Sequence, residues 1–216
     1  MNEDGGSVRI MVVDPERPVV ADLQTAAGVL RDGGLVAFPT ETFYGLGANA
    51  LDPDAVGRVF RAKGRPASMP LLVLVDSTRM VRTVAADVPV RAERLMARHW
   101  PGPLTLVLRA RPELPPALTA GTGTLGVRLS GHPLARALVR MAGLPVTAPS
   151  ANPHGAASPV TAGEVKTSLG GAVDLIVDGG PTAGGAPSTV LDLTGPRPRV
   201  VRAGAVVLGP EDLDGP

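Results

Sequence analysis

Short apolar segments that alternate with amphipathic helical patterns are the feature of this sequence that most restricts its fold. The segments LVAF at 35–38 and LTLVLR at 104–109 have the length and composition of buried β-strands. Residues 18–33 instead carry apolar side chains at helical spacing and end at a glycine pair. Interleaved strands and helices predict an α/β domain with a mixed sheet and helices packed on its faces. Further strands are predicted at 70–75, 125–129, 144–148, 174–178, 188–193 and 199–202, and further helices from Asp52-Pro53 onward and at 89–99, 132–142 and 161–169.

The composition indicates one folded domain with many turns. Glycine occurs 27 times and proline 23 times among 216 residues, but 44% of the residues are apolar, which is too many for a disordered chain. The sequence contains no internal repeat, low-complexity tract or linker. We therefore expect a single domain over residues 9–208, with flexible tails at 1–8 and 209–216.

Charge and cysteine content exclude several classes of protein. The 21 basic and 20 acidic side chains give a net charge of +1, whereas proteins that coat polyanions depend on massed cations. The absence of cysteine excludes disulfides, thiol nucleophiles, thiolate zinc sites and iron–sulfur clusters. The acidic N-terminus lacks the apolar run of a signal peptide, and no apolar segment approaches the ~18 residues of a membrane span. We therefore expect a cytoplasmic protein that does not enter a membrane.

Two glycine patterns raise the alternative of a dinucleotide-binding oxidoreductase, namely G-x-G-x-x-A at 45–50 and G-x-G-x-x-G at 121–126. The fingerprint requires a tight turn that leads from a strand directly into a helix, so that the helix N-terminus meets the pyrophosphate. The first pattern is separated from its strand by PTETFY, and the second continues into a strand. We therefore reject this alternative. A Walker A motif is also excluded, because Lys63 lacks the preceding glycine and the following Ser or Thr.

Three polar segments are candidates for a binding site, and each also has a purely structural interpretation. PTETFYGLGANA at 39–50 places hydroxyls and aromatic rings after a strand, which is typical either of a ligand-binding edge or of a turn anchored in the core. Lys63 and Arg65 flank a glycine at a helix C-terminus, so they either complement the helix dipole or hold a phosphate chain. Ser150 and Asn152 lie between prolines, in either a preset hydrogen-bonding loop or an Asx turn.

Two arginines and a glycine-rich segment complete the candidates. Arg128 lies within an apolar strand and Arg202 at the end of another, where a side chain that points inward needs an anionic partner. The segment 179–187 has the composition of a lid that closes over a site. The histidines show no metal-ligand spacing, and no Ser/His/Asp order or carboxylate pair is evident. Catalysis here would therefore depend on positioning and charge, and not on a covalent nucleophile or on a metal held by protein ligands.

Six motifs follow one another along the chain: GGLVAFPTETFYGLGANA, KGRP, WPGPLTLVL, GVRLSGHPL, LPVTAPSANPHG and VRAG. In order and spacing they resemble the YrdC/Sua5 family over residues 18–208. The family's K-x-R…S-x-N signature is matched by Lys63, Arg65, Ser150 and Asn152. The additional C-terminal domain of the longer Sua5 branch is not found in the sequence, so the chain resembles the short, single-domain form.

The resemblance implies both a fold and a reaction. The fold would be a YrdC-like twisted mixed sheet with a concave, positively charged site. The reaction would be that of a threonylcarbamoyl-AMP synthase, which makes threonylcarbamoyl-AMP and pyrophosphate from L-threonine, bicarbonate (or CO2) and ATP, with Mg²⁺ accompanying the ATP. A separate transferase complex would then modify adenosine 37 of tRNA. An RNA-binding module without catalysis is the second hypothesis, and weak RNA binding would also be compatible with the first.

The resemblance also implies roles for individual residues. Lys63 and Arg65 would be catalytic and would bind ATP together with Thr124, Ser150, Asn152, Ser158 and Arg202. Thr42, Arg128, Ala148 and Ser188 would contact threonine. The chain departs from the family at Met69 and Leu74, where many relatives carry Asn and His at positions associated with the nucleotide and with threonine.

Overall fold

The computed structural model describes residues 8–213, which fold into two mixed β-sheets with helices packed on them. The strands are β1 (Arg9–Val12), β2 (Val36–Pro39), β3 (Tyr44–Gly47), β4 (Leu72–Leu74), β5 (Leu104–Arg109), β6 (Thr124–Arg128), β7 (Val146–Thr147), β8 (Leu175–Asp178), β9 (Thr189–Asp192) and β10 (Arg199–Arg202). The helices are α1 (Val20–Arg31), α2 (Pro53–Lys63), α3 (Thr78–Val81), α4 (Val90–His99), α5 (Pro116–Thr119), α6 (Pro133–Ala142), α7 (Ala162–Leu169) and α8 (Pro210–Leu213), and a 3-10 turn spans Gly170–Ala172.

The two sheets differ in size and are joined by the backbone beside β3. The four-stranded sheet has the order β1-β8-β2-β3, and the six-stranded sheet has the order β10-β9-β5-β6-β4-β7. Isolated bridges connect Gly45 with Ser150 and Asn49 with Val146, and the Leu46 N–H donates to the Pro149 carbonyl at 2.8 Å. The segments at 39–50 and 149–153 therefore meet at the junction of the sheets.

Two buried apolar clusters hold the layers together. The first lies under α1 and α6 and includes Leu30, Phe38, Leu74 and Leu138. The second contains side chains of both sheets and of α2, α4 and α7, and α7 packs on β8 and β2 of the four-stranded sheet. Burial of these side chains is the main contribution to the stability of the fold.

The α/β fold with mixed strands and packed helices is confirmed, but the strands divide between two sheets, and the sequence analysis missed two of them. The strands predicted at 104–109 and 199–202 have the same bounds in the structure. Strand β3 was interpreted as part of a loop, because YGLG has two glycines and little strand character of its own. Antiparallel pairing with β2 makes this segment a strand, and its position is crowded: a Cβ at Gly47 would lie 2.6 Å from the Phe38 ring and 2.9 Å from Val146 Cγ1.

The expectation of a flexible tail at 209–216 is wrong for the part of it that the structure describes. Residues 210–213 form α8, and Asp212 is buried. Its carboxylate lies 3.0 Å from His99 Nε2 and accepts the Gly209 N–H at 3.0 Å, so the turn is held against α4. Residues 1–7 and 214–216 lie outside the described residues, and Val8 packs against the core. Over residues 8–213, no helix combines the length and the apolar character needed to cross a membrane.

Candidate functional site

One face of the six-stranded sheet carries the arginines that the sequence singled out. Paired residues of neighbouring strands point to the same face, so the strand register identifies the row to which each side chain belongs. In sheet order this row comprises Arg202, Val190, Thr105, Arg128, Leu74 and Val146, with Thr105 and Arg128 one residue beyond the Leu106–Val127 pair. Gly126 lies beside this row, and a Cβ at this position would lie 3.2 Å from Thr105 Cγ2, so the glycine leaves room for the Thr105 side chain.

Arg128 is a buried cation that makes no hydrogen bond to any of the described residues. Its residue is only 3% exposed, and none of residues 8–213 accepts a hydrogen bond from its guanidinium. The nearest carboxylate oxygen is Glu41 Oε1, 3.8 Å from Nε. Burial lowers the pKa of Arg128, the Glu41 charge opposes that shift, and nearby Arg202 adds to it. A buried guanidinium with unused donors is a candidate site for an anion.

Arg202 and Ser188 are joined to Thr105 by hydrogen bonds. Arg202 donates to the Ser188 carbonyl through Nε at 3.1 Å and Nη2 at 2.9 Å, and Nη2 also lies 3.0 Å from Ser188 Oγ. Ser188 Oγ lies 2.9 Å from Thr105 Oγ1. Thr105 was not among the predicted site residues, although a hydroxyl at the second position of the apolar strand LTLVLR was a signal for it.

Lys63 lies at the end of α2 but is buried. The N-cap of α2 is Asp52, whose carboxylate accepts hydrogen bonds from the N–H groups of Asp54 and Ala55. The C-cap is Gly64, which has a φ of +55°. Lys63 is 3% exposed, and its ammonium donates to the carbonyls of Ser150 and Asn152, each at 2.5 Å. Burial and the charge of Arg65 lower the pKa of Lys63 to about 8. The structure thus brings together Lys63, Ser150 and Asn152, three members of the predicted signature.

The loop at 149–153 is held by its own side chains and by β3. Asn152 Nδ2 donates to the Pro153 carbonyl at 2.9 Å and to the Ala156 carbonyl at 2.8 Å. Its Oδ1 is buried without a hydrogen-bond partner in the described part of the chain. The Asn152 donors therefore stabilise a turn, while the carbonyl oxygen remains an open acceptor.

Thr42 and Ala148 lie where the two sheets meet. Thr42 Oγ1 is 3.2 Å from Thr40 Oγ1, and the Thr42 carbonyl accepts the N–H of Gly184 at 2.9 Å. A Cβ at Gly45 would lie 3.5 Å from Ala148 Cβ, at ordinary van der Waals distance, so Gly45 and Ala148 are neighbours. The glycine-rich segment 179–187 therefore contacts the segment at 39–50.

The sequence of this chain matches a family model named Sua5, YciO and YrdC, described as telomere recombination, over residues 28–204. The chain belongs to the Sua5/YciO/YrdC family. The resemblance predicted from the motifs is thereby confirmed.

Curated relatives in the Sua5/YciO/YrdC family carry a common name. The threonylcarbamoyl-AMP synthases of Pyrococcus abyssi and Bacillus subtilis are 47% and 46% identical to this chain over 86% and 88% of its length. The chain spans little more than half of these two relatives, 55% and 57% of their lengths. A putative threonylcarbamoyl-AMP synthase of Mycobacterium tuberculosis is 40% identical, and the alignment covers 89% of this chain and 88% of the relative.

Solved structures in the Sua5/YciO/YrdC family share the fold. Sua5 from Pyrococcus abyssi in complex with L-threonine has a TM-score of 0.87 and 46% identity, with 90% of this chain and 57% of that chain covered. YciO from Escherichia coli has a TM-score of 0.83 and 29% identity, with 94% and 98% covered.

Three of the predicted site residues form no hydrogen bond or ion pair with the others within residues 8–213, namely Arg65, Ser158 and Thr124. The Arg65 guanidinium folds back on its own loop and donates to the carbonyls of Met69 at 3.1 Å and Pro70 at 2.9 Å. Ser158 is half-buried beside Pro159, whose carbonyl accepts the Tyr44 N–H at 2.9 Å. Thr124 lies on the same face of β6 as Arg128 but at the other end, about 13 Å along the strand.

The two departures from the Sua5/YciO/YrdC pattern differ in their surroundings. Leu74 is 1% exposed and is paired in register with Arg128, so an apolar side chain borders the buried guanidinium. Met69 is 37% exposed on the loop that holds Arg65. Across residues 8–213, no three His, Cys, Asp or Glu side chains come together as a metal-binding set.

Proposed function

We propose that this chain is a threonylcarbamoyl-AMP synthase, which converts L-threonine, bicarbonate (or CO2) and ATP into threonylcarbamoyl-AMP and pyrophosphate. The observation that carries the proposal is the Arg128 guanidinium, which is buried and has no hydrogen-bond acceptor in the described part of the chain. An amino acid carboxylate is an anion of the right size and geometry for such a fork. The names of the relatives support the same reaction.

In this proposal the threonine subsite lies beside Arg128. Arg128 binds the carboxylate, while Thr42, Ala148 and Ser188 contact the remainder of the amino acid. Ser188 is prepared for this role, because its side chain is held between Thr105 and Arg202 at 2.9 and 3.0 Å. A fixed hydroxyl loses less entropy on binding than a mobile one.

In the same proposal ATP lies between the end of α2 and β10. Lys63, Arg65 and Arg202 neutralise the phosphates, and Thr124, Ser150, Asn152 and Ser158 supply polar contacts. Arg65 first has to leave the Met69 and Pro70 carbonyls. Because no acidic set that could hold a metal is found within residues 8–213, Mg²⁺ would arrive on the triphosphate and be held there chiefly by phosphate oxygens.

The proposed reaction needs positioning and charge more than proton transfer. Threonine and bicarbonate form a carbamate with loss of water, and a carbamate oxygen then attacks the α-phosphorus. A new P–O bond forms, the bond to the β-phosphate oxygen breaks, and pyrophosphate leaves with that electron pair. Both reactants are anions, so Lys63, Arg65, Arg128 and Arg202 would act by reducing their repulsion.

The proposed product implies further partners. Threonylcarbamoyl-AMP would pass to a transferase complex that modifies adenosine 37 of tRNA, and we place both steps in the cytoplasm. Weak RNA binding is part of this proposal only as an accompaniment to catalysis on a concave, positively charged face.

The test is pyrophosphate release by the purified protein with ATP, Mg²⁺, bicarbonate and threonine. We expect pyrophosphate release that requires threonine and stops when threonine is omitted. Arg128→Ala should lose most of this release, whereas Arg140→Ala, which changes an exposed arginine of α6, serves as the control. Release that is unchanged without threonine would contradict the proposal and would leave the RNA-binding hypothesis to be tested by RNA titration.

A further inference from the structure

Glu41 is a half-buried carboxylate that faces Arg128 in the candidate threonine subsite, and the proposed function assigns it no role. It stands between Thr40 and Thr42 in the chain, and Oε2 accepts a hydrogen bond from Ser130 Oγ. The other oxygen, Oε1, lies 3.8 Å from Arg128 Nε. Both of these facing atoms are buried and have no hydrogen-bond partner in the part of the chain that the structure describes.

The surroundings of Glu41 keep it ionised. Burial raises the pKa of its carboxyl, but the charge of Arg128, the Ser130 hydroxyl and backbone N–H groups, including that of Gly131, together hold it below its usual range. The carboxylate therefore faces the Nε edge of the guanidinium as a full negative charge. A planar guanidinium that is attracted along its Nε edge is restricted in orientation.

The same carboxylate connects two segments that are far apart in sequence. Glu41 belongs to the loop that carries Thr42, whereas Ser130 and Gly131 directly follow β6, which carries Arg128. The Ser130 hydroxyl also accepts the N–H of His132 at 3.2 Å, which holds the loop after β6 in shape. One side chain thus sets the separation between the Thr42 loop and the end of β6.

We propose that Glu41 is a positioning residue for the amino acid substrate, because it orients the Arg128 guanidinium and holds it at a set distance from Thr42. The inference rests on the proposed function, since it assigns Glu41 to the threonine subsite of that reaction. It makes a definite prediction about sign. A negative charge that merely repelled an anionic substrate would weaken binding, and its removal would then strengthen binding; a positioning charge has the opposite effect.

The experiment compares Glu41→Gln with wild type in threonine-dependent pyrophosphate release. The amide keeps the size of the side chain and an acceptor for Ser130 but removes the charge. We expect the KM for threonine to rise about tenfold and the KM for ATP to change less than about twofold. Glu93→Gln is the matched control. Glu93 lies outside the proposed site and forms an exposed ion pair with Arg82, with 2.7 Å between Arg82 Nη2 and Glu93 Oε1. An unchanged or lower KM for threonine in Glu41→Gln would overturn the inference.

A second comparison separates positioning from a general loss of structure. If Glu41 acts through Arg128, adding Glu41→Gln to an Arg128→Lys variant should raise the KM for threonine by less than about twofold further. Ser130→Ala, which removes the donor to Oε2 and leaves the charge, should raise the threonine KM in the same direction by a smaller factor. Equal effects of Glu41→Gln in both backgrounds would contradict the inference. A wild-type protein without threonine-dependent release would instead contradict the proposed function, so the two failures are distinguishable.

Discussion

At the scale of single residues, Lys63 combines two roles that were alternatives in the sequence analysis. A lysine in the last turn of a helix usually lies in solvent and complements the helix dipole. Lys63 is instead buried, and its ammonium links α2 to the carbonyls of Ser150 and Asn152. The cation therefore stabilises the loop that would bind the nucleotide, in addition to any charge that it offers to phosphates.

Removal of this ammonium should destabilise the protein as well as inactivate it. Lys63→Ala leaves two buried carbonyls without donors, so we expect the free energy of unfolding to fall by about 2–4 kcal/mol. Lys166→Ala is the matched control, because it removes the chain's other lysine from an exposed position on α7, with an expected change within about 0.5 kcal/mol. Denaturant titration measures both. Equal stability of the two variants would show that the carbonyl contacts contribute nothing.

The lowered pKa of Lys63 predicts a pH dependence. With a pKa of about 8, Lys63 loses its charge as the pH rises through 8, and kcat/KM for ATP should fall along that limb. Between about pH 8 and 10.4 the unfolded chain binds more protons at this group than the folded one does. The contribution of Lys63 to the free energy of unfolding therefore rises with pH across this range. Lost activity in this range is therefore not denaturation. Lys63→Arg should move the limb to higher pH, and an unmoved limb would assign it to another group.

At the scale of elements, β3 shows how packing creates a strand from a sequence with weak strand character. Its residues Tyr44–Gly47 are all buried, with β2 as the antiparallel partner on one side and the Val146 segment on the other. Gly45 lies against Ala148, and Gly47 lies against Phe38 and Val146. Gly47, which indicated a turn in the sequence, is the glycine that lets the two sheets approach each other, because a Cβ there would lie 2.9 Å from Val146 Cγ1.

A methyl group at Gly47 should separate the sheets. In Gly47→Ala the new Cβ would lie 2.9 Å from Val146 Cγ1 of the other sheet and 2.6 Å from Phe38 Cε1, so we expect a loss of about 2–4 kcal/mol of unfolding free energy. Gly28→Ala is the control: it lies in α1 with nothing within 4 Å of a new Cβ and should be neutral or stabilising by up to about 1 kcal/mol. Thermal unfolding of the two variants distinguishes these outcomes.

At the scale of the whole molecule, the candidate site belongs to neither sheet alone. Arg128, Arg202 and Ser188 come from the six-stranded sheet, whereas Thr42 and Glu41 belong to the connection between β2 and β3 of the four-stranded sheet. Contacts such as the Gly45–Ser150 bridge join the two parts. A ligand that binds across this junction would stabilise the folded chain as one unit.

Threonine should therefore stabilise the entire domain. At a concentration one hundred times its Kd, a ligand that binds only the folded state adds about 2.7 kcal/mol to the free energy of unfolding. We expect a single unfolding transition that moves to higher temperature with threonine, and no shift in Arg128→Ala. Calorimetry measures both quantities. Two transitions, of which only one moved with threonine, would contradict a site shared between the sheets.

Much of the fold and part of the site could be predicted from the sequence because their signals are local. Strand β5 and the capped start of α2 follow from apolar runs and from Asp52-Pro53, which act within a few residues. The motifs around Lys63 and Ser150 were sufficient to predict the family. Strand β3, helix α8 and the roles of Thr105 and Glu41 were missed, because each depends on partners that are distant in the chain.

The amino-acid sequence by itself determined the α/β class, most of the helices and strands, and the family to which this protein belongs. The three-dimensional fold was needed to show that the Lys63 ammonium donates to carbonyls 87 and 89 residues away, and that Glu41 faces Arg128 across the junction of two sheets. The physical reason is that spacing and propensity act over a few residues. Burial and hydrogen bonding of a charged side chain depend instead on which distant segments the sheets bring together.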